Sequence, residues 1–170
     1  DFARYDVKSV PVDLSGIFNR SFRDDGQVPG WTGQGAEMDL RSLKPGKHLF
    51  QNIRIDTVNP DQNNGKSCLV LGRGLGPESA GIKIGQYPEG MKYLYLLHAS
   101  AWTPAGGKPV GYIRIRYADG QTDKVTVAAG RDCGNWYSPS GSRNAQVVWK
   151  GKVPSADIGL YLSAFPLKGK

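Results

Sequence analysis

The sequence has little of what would announce a chemistry. It holds two cysteines, Cys68 and Cys133, and two histidines, His48 and His98. Four such residues so placed make no zinc-ligand spacing, and nothing points to a structural zinc site. The cysteines, far apart in the chain, are compatible with a disulfide of an exported protein or with two buried thiols. No apolar run approaches the roughly 18 residues that a membrane-crossing helix needs. No secretory leader pattern precedes the first strand, and Asp1 reads as the start of a mature product or of a portion of something longer. The net charge is +7, yet no block of like charges appears. Scattered basic residues of this kind read as a solvated surface and not as a nucleic-acid footprint. A sustained apolar stripe of helical period is missing as well, which takes helices out of the scaffold.

Catalytic signatures are equally scarce. Sugar hydrolysis needs two carboxylates facing across a cleft. Asp24 and Asp25 are adjacent and on a strand would point to opposite faces. No Gly-x-Ser-x-Gly elbow is present. Gly72-Arg73-Gly74-Leu75-Gly76 lacks the Lys-Ser/Thr of a phosphate loop and reads as a connector. His98 is the best single acid-base candidate, but it sits inside an apolar run, where a hydrogen-bonded core histidine is the plainer reading. The sequence therefore reads as that of a non-enzyme.

What the chain does have is glycine and proline, 23 and 11 residues, both of which punctuate turns. Residues 93–127 organise the rest. Residues 93–102 are apolar on both faces, as a strand in the middle of a two-layer β structure should be. Ile113, Ile115 and Tyr117 then alternate with Tyr112, Arg114 and Arg116, the mark of a half-buried strand. Asp119-Gly120 predicts a tight type I′ hairpin turn, which leads into a strand through Val125 and Val127. Further strands are expected over 5–14 (at an edge, interrupted by Pro11), 49–58, 67–71, Ile82–Ile84, 144–150 and 158–165, with turns at 44–47, 59–66, 88–90 and 151–157. About eight strands so separated predict an all-β chain, a β-sandwich or jelly roll. The expected organisation is one module over 1–165 with a linker remnant over 166–170.

Several segments together carry a resemblance. Tyr95-Leu96-Leu97-His98-Ala99-Ser100-Ala101-Trp102, Tyr117-Ala118-Asp119-Gly120, Ala145-Gln146-Val147-Val148-Trp149-Lys150-Gly151 and Gly159-Leu160-Tyr161-Leu162 occur in this order. Upstream stand Val12-Asp13-Leu14, Gly30-Trp31-Thr32-Gly33-Gln34-Gly35 and Asn63-Asn64-Gly65-Lys66-Ser67. The chain resembles the accessory β-sandwich modules of bacterial glycoside hydrolases, carbohydrate-binding modules with a galactose-binding-domain-like jelly roll. The resemblance implies a non-catalytic module of a secreted, periplasmic or cell-surface polysaccharide-active protein. Its partners would be a polysaccharide or oligosaccharide, acidic or neutral, and the catalytic domain of the same chain. The alternative is a structural β-sandwich that packs on such a domain and has no sugar site.

Sugar rings stack an apolar face on aromatic rings and offer hydroxyls to polar side chains. Three loops hold that mixture. One has Trp31 and Gln34 with Asp39, the second follows Trp102, and the third has Asp132, Asn135, Trp136, Tyr137 and Arg143. The competing reading is that the tryptophans fill the core. Asp24, Asp25, Asn63 and Asn64 read as ordinary turn residues or as oxygen ligands of a structural Ca²⁺, without EF-hand spacing, and no other cofactor is expected. Arg114 and Arg116 form either a solvated sheet face or a cationic stripe for an acidic glycan.

Overall fold

Alternating side chains separated by turn residues produce seven strands among the residues that the computed structural model describes, 8–85 and 90–168. They are β1 (Gly46–Phe50), β2 (Ile53–Thr57), β3 (Tyr93–His98), β4 (Pro109–Arg116), β5 (Thr122–Ala128), β6 (Ala145–Val153) and β7 (Ala156–Pro166). Helical structure among them is confined to short 3₁₀ turns at Ser15–Ile17, Ala36–Met38 and Pro60–Gln62, so the chain is all-β. Three antiparallel groupings result: β1-β2, β3-β7-β6 and β4-β5. The start of the strand expected over 5–14 and most of the turn expected at 88–90 lie outside the described residues. These residues gather into two compact units. One runs up to Gly85 and takes in Gly151–Ser155, and the other holds residues 90–150 and 156–168.

In the first unit, the strand expected over 49–58 is instead the end of β1, a turn and β2 of a hairpin. Phe50 pairs with Ile53, leaving Gln51 and Asn52 as a two-residue loop. Both have positive φ, 50° and 64°, the requirement of a type I′ turn. Asparagine tolerates that conformation, whereas glutamine gives no hint of it, so the apolar alternation hid the turn. Ile53, Leu40, Leu43 and Phe22 are buried. The expected strand over 67–71 reduces to one isolated bridge between Cys68 and Arg20. Ile82 and Ile84 are exposed and in no strand, because among the described residues no neighbouring strand takes up their backbone groups.

Residues 26–40 are held by two carboxylates. Asp24 accepts from the N–H of Gly30 at 2.7 Å and of Gly35 at 2.6 Å. Asp39 is buried and accepts from the Asp24 N–H at 2.8 Å and from the Arg41 guanidinium. A side chain at Gly30 would collide with Asp24, so glycine is required there.

In the second unit, β7 is the middle strand. It pairs with β3 from Tyr93↔Pro166 to His98↔Tyr161 and has β6 on its other side. Residues 158–165 are all buried. The expectation that 93–102 forms the central strand is thereby corrected. β3 has one strand neighbour and leaves Tyr93 exposed. Both runs are apolar on two faces, and the number of strand neighbours decides which is interior. Leu94 and Leu96 of β3 pack on Phe165, Val127 and Cys133, together with Val110, Ile113 and Val125. The inward face of the β4–β5 hairpin thus shares a core with β3 and β7.

The hairpin forms at Asp119-Gly120 as expected, with a different turn. The Tyr117 N–H donates to the Gln121 carbonyl at 2.9 Å and the Gly120 N–H to that of Tyr117 at 3.1 Å. Gly120 alone in the loop has positive φ, 86°. This is a three-residue loop with glycine at the left-handed position, not a type I′ pair. At the far end, Pro166 still belongs to β7. The Leu167 N–H donates to Lys92, and the Lys168 N–H to the Asp123 carboxylate at 3.0 Å. Residues 166–168 are therefore tied to the second unit; the rest of the expected linker lies outside the described residues.

Candidate functional site

The loops around β3 and β5 come together through backbone pairing. Beyond His98 the chain forms a parallel bridge between Ser100 and Asn135. The Ser100 N–H donates to the Gly134 carbonyl at 3.0 Å, and the Trp136 N–H to that of Ser100 at 2.9 Å. The loop after Trp102 then returns, with the Gly107 N–H donating to Ala129 and the Ala129 N–H to Lys108, each at 2.8 Å. The second and third of the three aromatic loops therefore meet within one unit. Trp31, buried, and Gln34, exposed, belong to the other unit.

Trp102 is 43% exposed and has φ of 52°. A bulky residue in the left-handed region is an outlier, and such strain clusters at binding sites. The hydroxyls of Ser100 and Thr103 lie 2.6 Å apart beside it in the chain. Asn135 is exposed, and its side-chain oxygen accepts from the Tyr137 N–H at 3.3 Å. Tyr137 is half-buried, Arg143 exposed. Thr103 is not among the residues the sequence singles out; its position next to Trp102 is the available signal.

Beside the buried Trp31, two more of the residues expected at the ligand, Trp136 and Asp132, are buried and structural. Trp136 is 3% exposed, set edge-on to Tyr137 with ring centres 6.1 Å apart, so its indole has no free face for a sugar. Asp132 is 4% exposed. Its carboxylate accepts from the Ala128 N–H at 2.9 Å, from Arg131 Nη2 at 2.6 Å and from Asn144 Nδ2 at 3.1 Å. Burial alone would raise its pKa; these donors outweigh burial and hold it below the usual carboxylate range. Between the two, Gly134 has no room for a methyl group because the fully buried Tyr161 ring fills that space. The Tyr161 hydroxyl donates to the Asn135 carbonyl at 2.8 Å and so fixes the loop from below.

His98 is half-buried and tied into a hydrogen-bond chain. Its Nε2 lies 2.8 Å from the Ser163 hydroxyl, which donates to the Asp132 carbonyl at 2.7 Å. Because that hydroxyl's one proton is committed, His98 donates to it, which makes the ring the neutral Nε2–H tautomer. The acid it reaches offers a backbone carbonyl, so His98, Ser163 and Asp132 do not form a nucleophilic triad. Burial pushes the imidazole pKa down to about 4, partly offset by the Asp132 hydrogen bond and charge. An unfolded histidine titrates near ~6.5. Between those values the unfolded chain takes up a proton that the folded chain refuses, so stability falls as pH drops from about 6.5 to about 4. The residue keeps some exposure, so the loss is at most ~3 kcal/mol. Urea midpoints measured across that range should show the slope in the wild type and lose most of it in His98→Gln.

Cys68 and Cys133 are both free thiols. Burial pushes the Cys68 thiol up to about 12 and raises that of Cys133 as well, which makes both poor nucleophiles. For cations, both Asp24 oxygens are taken by N–H donors, and the Asn63 amide donates to Ser15 and Lys66. No group of three or more His, Cys, Asp or Glu side chains gathers among the described residues. Two depressions in the first unit, about 170 and 250 Å³, fall short of the roughly 300 Å³ at which ligand pockets begin. An exposed indole with two hydroxyls beside it in the chain is suited to stacking on a flat, hydroxyl-rich ring at the surface. No family model, curated protein or solved structure matches the chain.

Proposed function

We propose that this chain is a non-catalytic carbohydrate-binding module, a jelly-roll β-sandwich of the galactose-binding-domain-like kind, attached to a polysaccharide-active enzyme that works outside the cytoplasm. The observation that carries the reading is Trp102, an exposed ring held at a strained backbone angle beside the Ser100–Asn135 bridge. Stacking on the indole would provide affinity, and Thr103, Asn135, Tyr137 and Arg143 would supply polar contacts to the sugar. Tethering then raises the local concentration of glycan at the neighbouring catalytic domain.

Trp102→Gly tests this. Glycine accepts a φ of 52° freely, so the fold should persist with little change in melting temperature. Affinity for the glycan that shifts the wild-type melting temperature or tryptophan fluorescence should fall by about 30-fold or more, as expected for a central aromatic anchor. Undiminished affinity in a folded Trp102→Gly protein would rule the platform out. A structural module that packs on a neighbouring domain is the second reading, favoured by exposed Leu49, Leu71, Ile82 and Ile84 in the first unit. It predicts no response to any glycan in a broad panel.

A further inference from the structure

The outward face of the β4–β5 hairpin carries a cationic stripe. Tyr112, Arg114 and Arg116 alternate to one side of β4, opposite Thr126, Lys124 and Thr122 respectively. Arg114 and Lys124 are therefore direct cross-strand partners of like charge, an arrangement that costs stability. Among the described residues no carboxylate pairs with Arg114, Arg116 or Lys124. The nearby acids are turned to other uses. Asp123 points to the opposite face and accepts from the Tyr117 hydroxyl and the Lys168 N–H, while Asp119 accepts from the Gln121 N–H in the turn. The Lys124 ammonium lies 4.2 Å from the centre of the Tyr112 ring, and that ring is 58% exposed.

We propose that this face binds an anionic glycan chain, carboxylated or sulfated. The inference rests on the glycan reading above and adds the substrate class. Side chains two residues apart leave the same face of a strand about 6.8 Å from each other, which lets successive acidic groups of an extended polymer each meet a cation. The threonine hydroxyls on the same face are suited to sugar hydroxyls. Single-stranded nucleic acid is a poorer fit, because its binders present several open rings for base stacking. Here one face of the lone tyrosine is already covered by Lys124.

The test titrates the whole chain with polyguluronate, dextran sulfate, neutral dextran and an oligo-dT strand at low and at physiological ionic strength. Arg114→Glu/Arg116→Glu is compared with Lys47→Glu/Lys66→Glu, which makes the same change in net charge at exposed positions of the other unit. Glutamate at 114 would face Lys124, so the first variant should fold at least as well as the wild type, as a thermal melt will verify. The expected result is a loss of ~10-fold or more in polyanionic-glycan affinity for the first variant and little for the second. Equal losses in both variants would reduce the effect to net charge and overturn the inference, as would equal or tighter binding of oligo-dT. Binding of neutral glycans that depends on Trp102, with none of polyguluronate or dextran sulfate, would overturn it and leave the module reading intact. Binding of these polyanions through Arg114 and Arg116 that Trp102→Gly does not change would uphold the stripe as a glycan site separate from Trp102.

Discussion

Replacing Trp136 by alanine is expected to lower the free energy of unfolding by about 3–5 kcal/mol, the range for truncating a buried aromatic residue. For a chain of this size that is a fall in melting temperature on the order of 10 °C. The indole is almost wholly enclosed. Its backbone ties two elements together, with its N–H donating to Ser100 at 2.9 Å and its carbonyl accepting from the Gly159 N–H at 2.8 Å. Removing the ring opens a void between β7 and the loop that carries Asn135. Any loss of glycan binding in this variant should follow the unfolded fraction, and Trp136→Phe should recover part of both. A Trp136→Ala protein that melts like the wild type but no longer responds to glycan would show that the ring is open to ligand.

Asp132→Ala is the second large effect, about 3 kcal/mol. Most of it comes from the Ala128 N–H, which is buried and would lose its acceptor, a penalty of ~1–3 kcal/mol. The contact to Asn144 adds to this. Arg131 is exposed, so water can replace its partner and the ion pair contributes less than ~1 kcal/mol. Because the folded carboxyl has a depressed pKa, its contribution is complete above the ordinary carboxylate range and is lost as pH falls through the folded value. Asp132→Asn keeps an acceptor for Ala128 and should recover part of the loss. Urea unfolding at neutral pH would measure both variants. An unchanged midpoint with altered glycan affinity would return Asp132 to the ligand site.

The residues that form β4, β5, β6 and β7 could be read from the chain because period-2 alternation and short turn signals are local properties. The Asp119-Gly120 turn needed only its glycine to be recognised. The Gln51-Asn52 turn escaped notice because one of its residues, glutamine, adopts positive φ only where two strands force it. Ile82 and Ile84 alternate as well as any strand does, yet among the described residues no partner strand takes up their backbone groups.

Trp102 and Trp136 look alike in sequence, each an aromatic residue in a Gly/Pro-rich loop. The sequence by itself determined the all-β class, most of the strands, the scarcity of catalytic groups and the aromatic loops worth inspecting, since composition and alternation act residue by residue. Tertiary structure alone decided which strand is interior, because burial depends on how many neighbours a strand acquires. It also decided which tryptophan meets solvent. Trp136 is clasped by hydrogen bonds to Ser100 and Gly159 over a buried Tyr161, whereas Trp102 is turned outward at a φ that no local preference would choose.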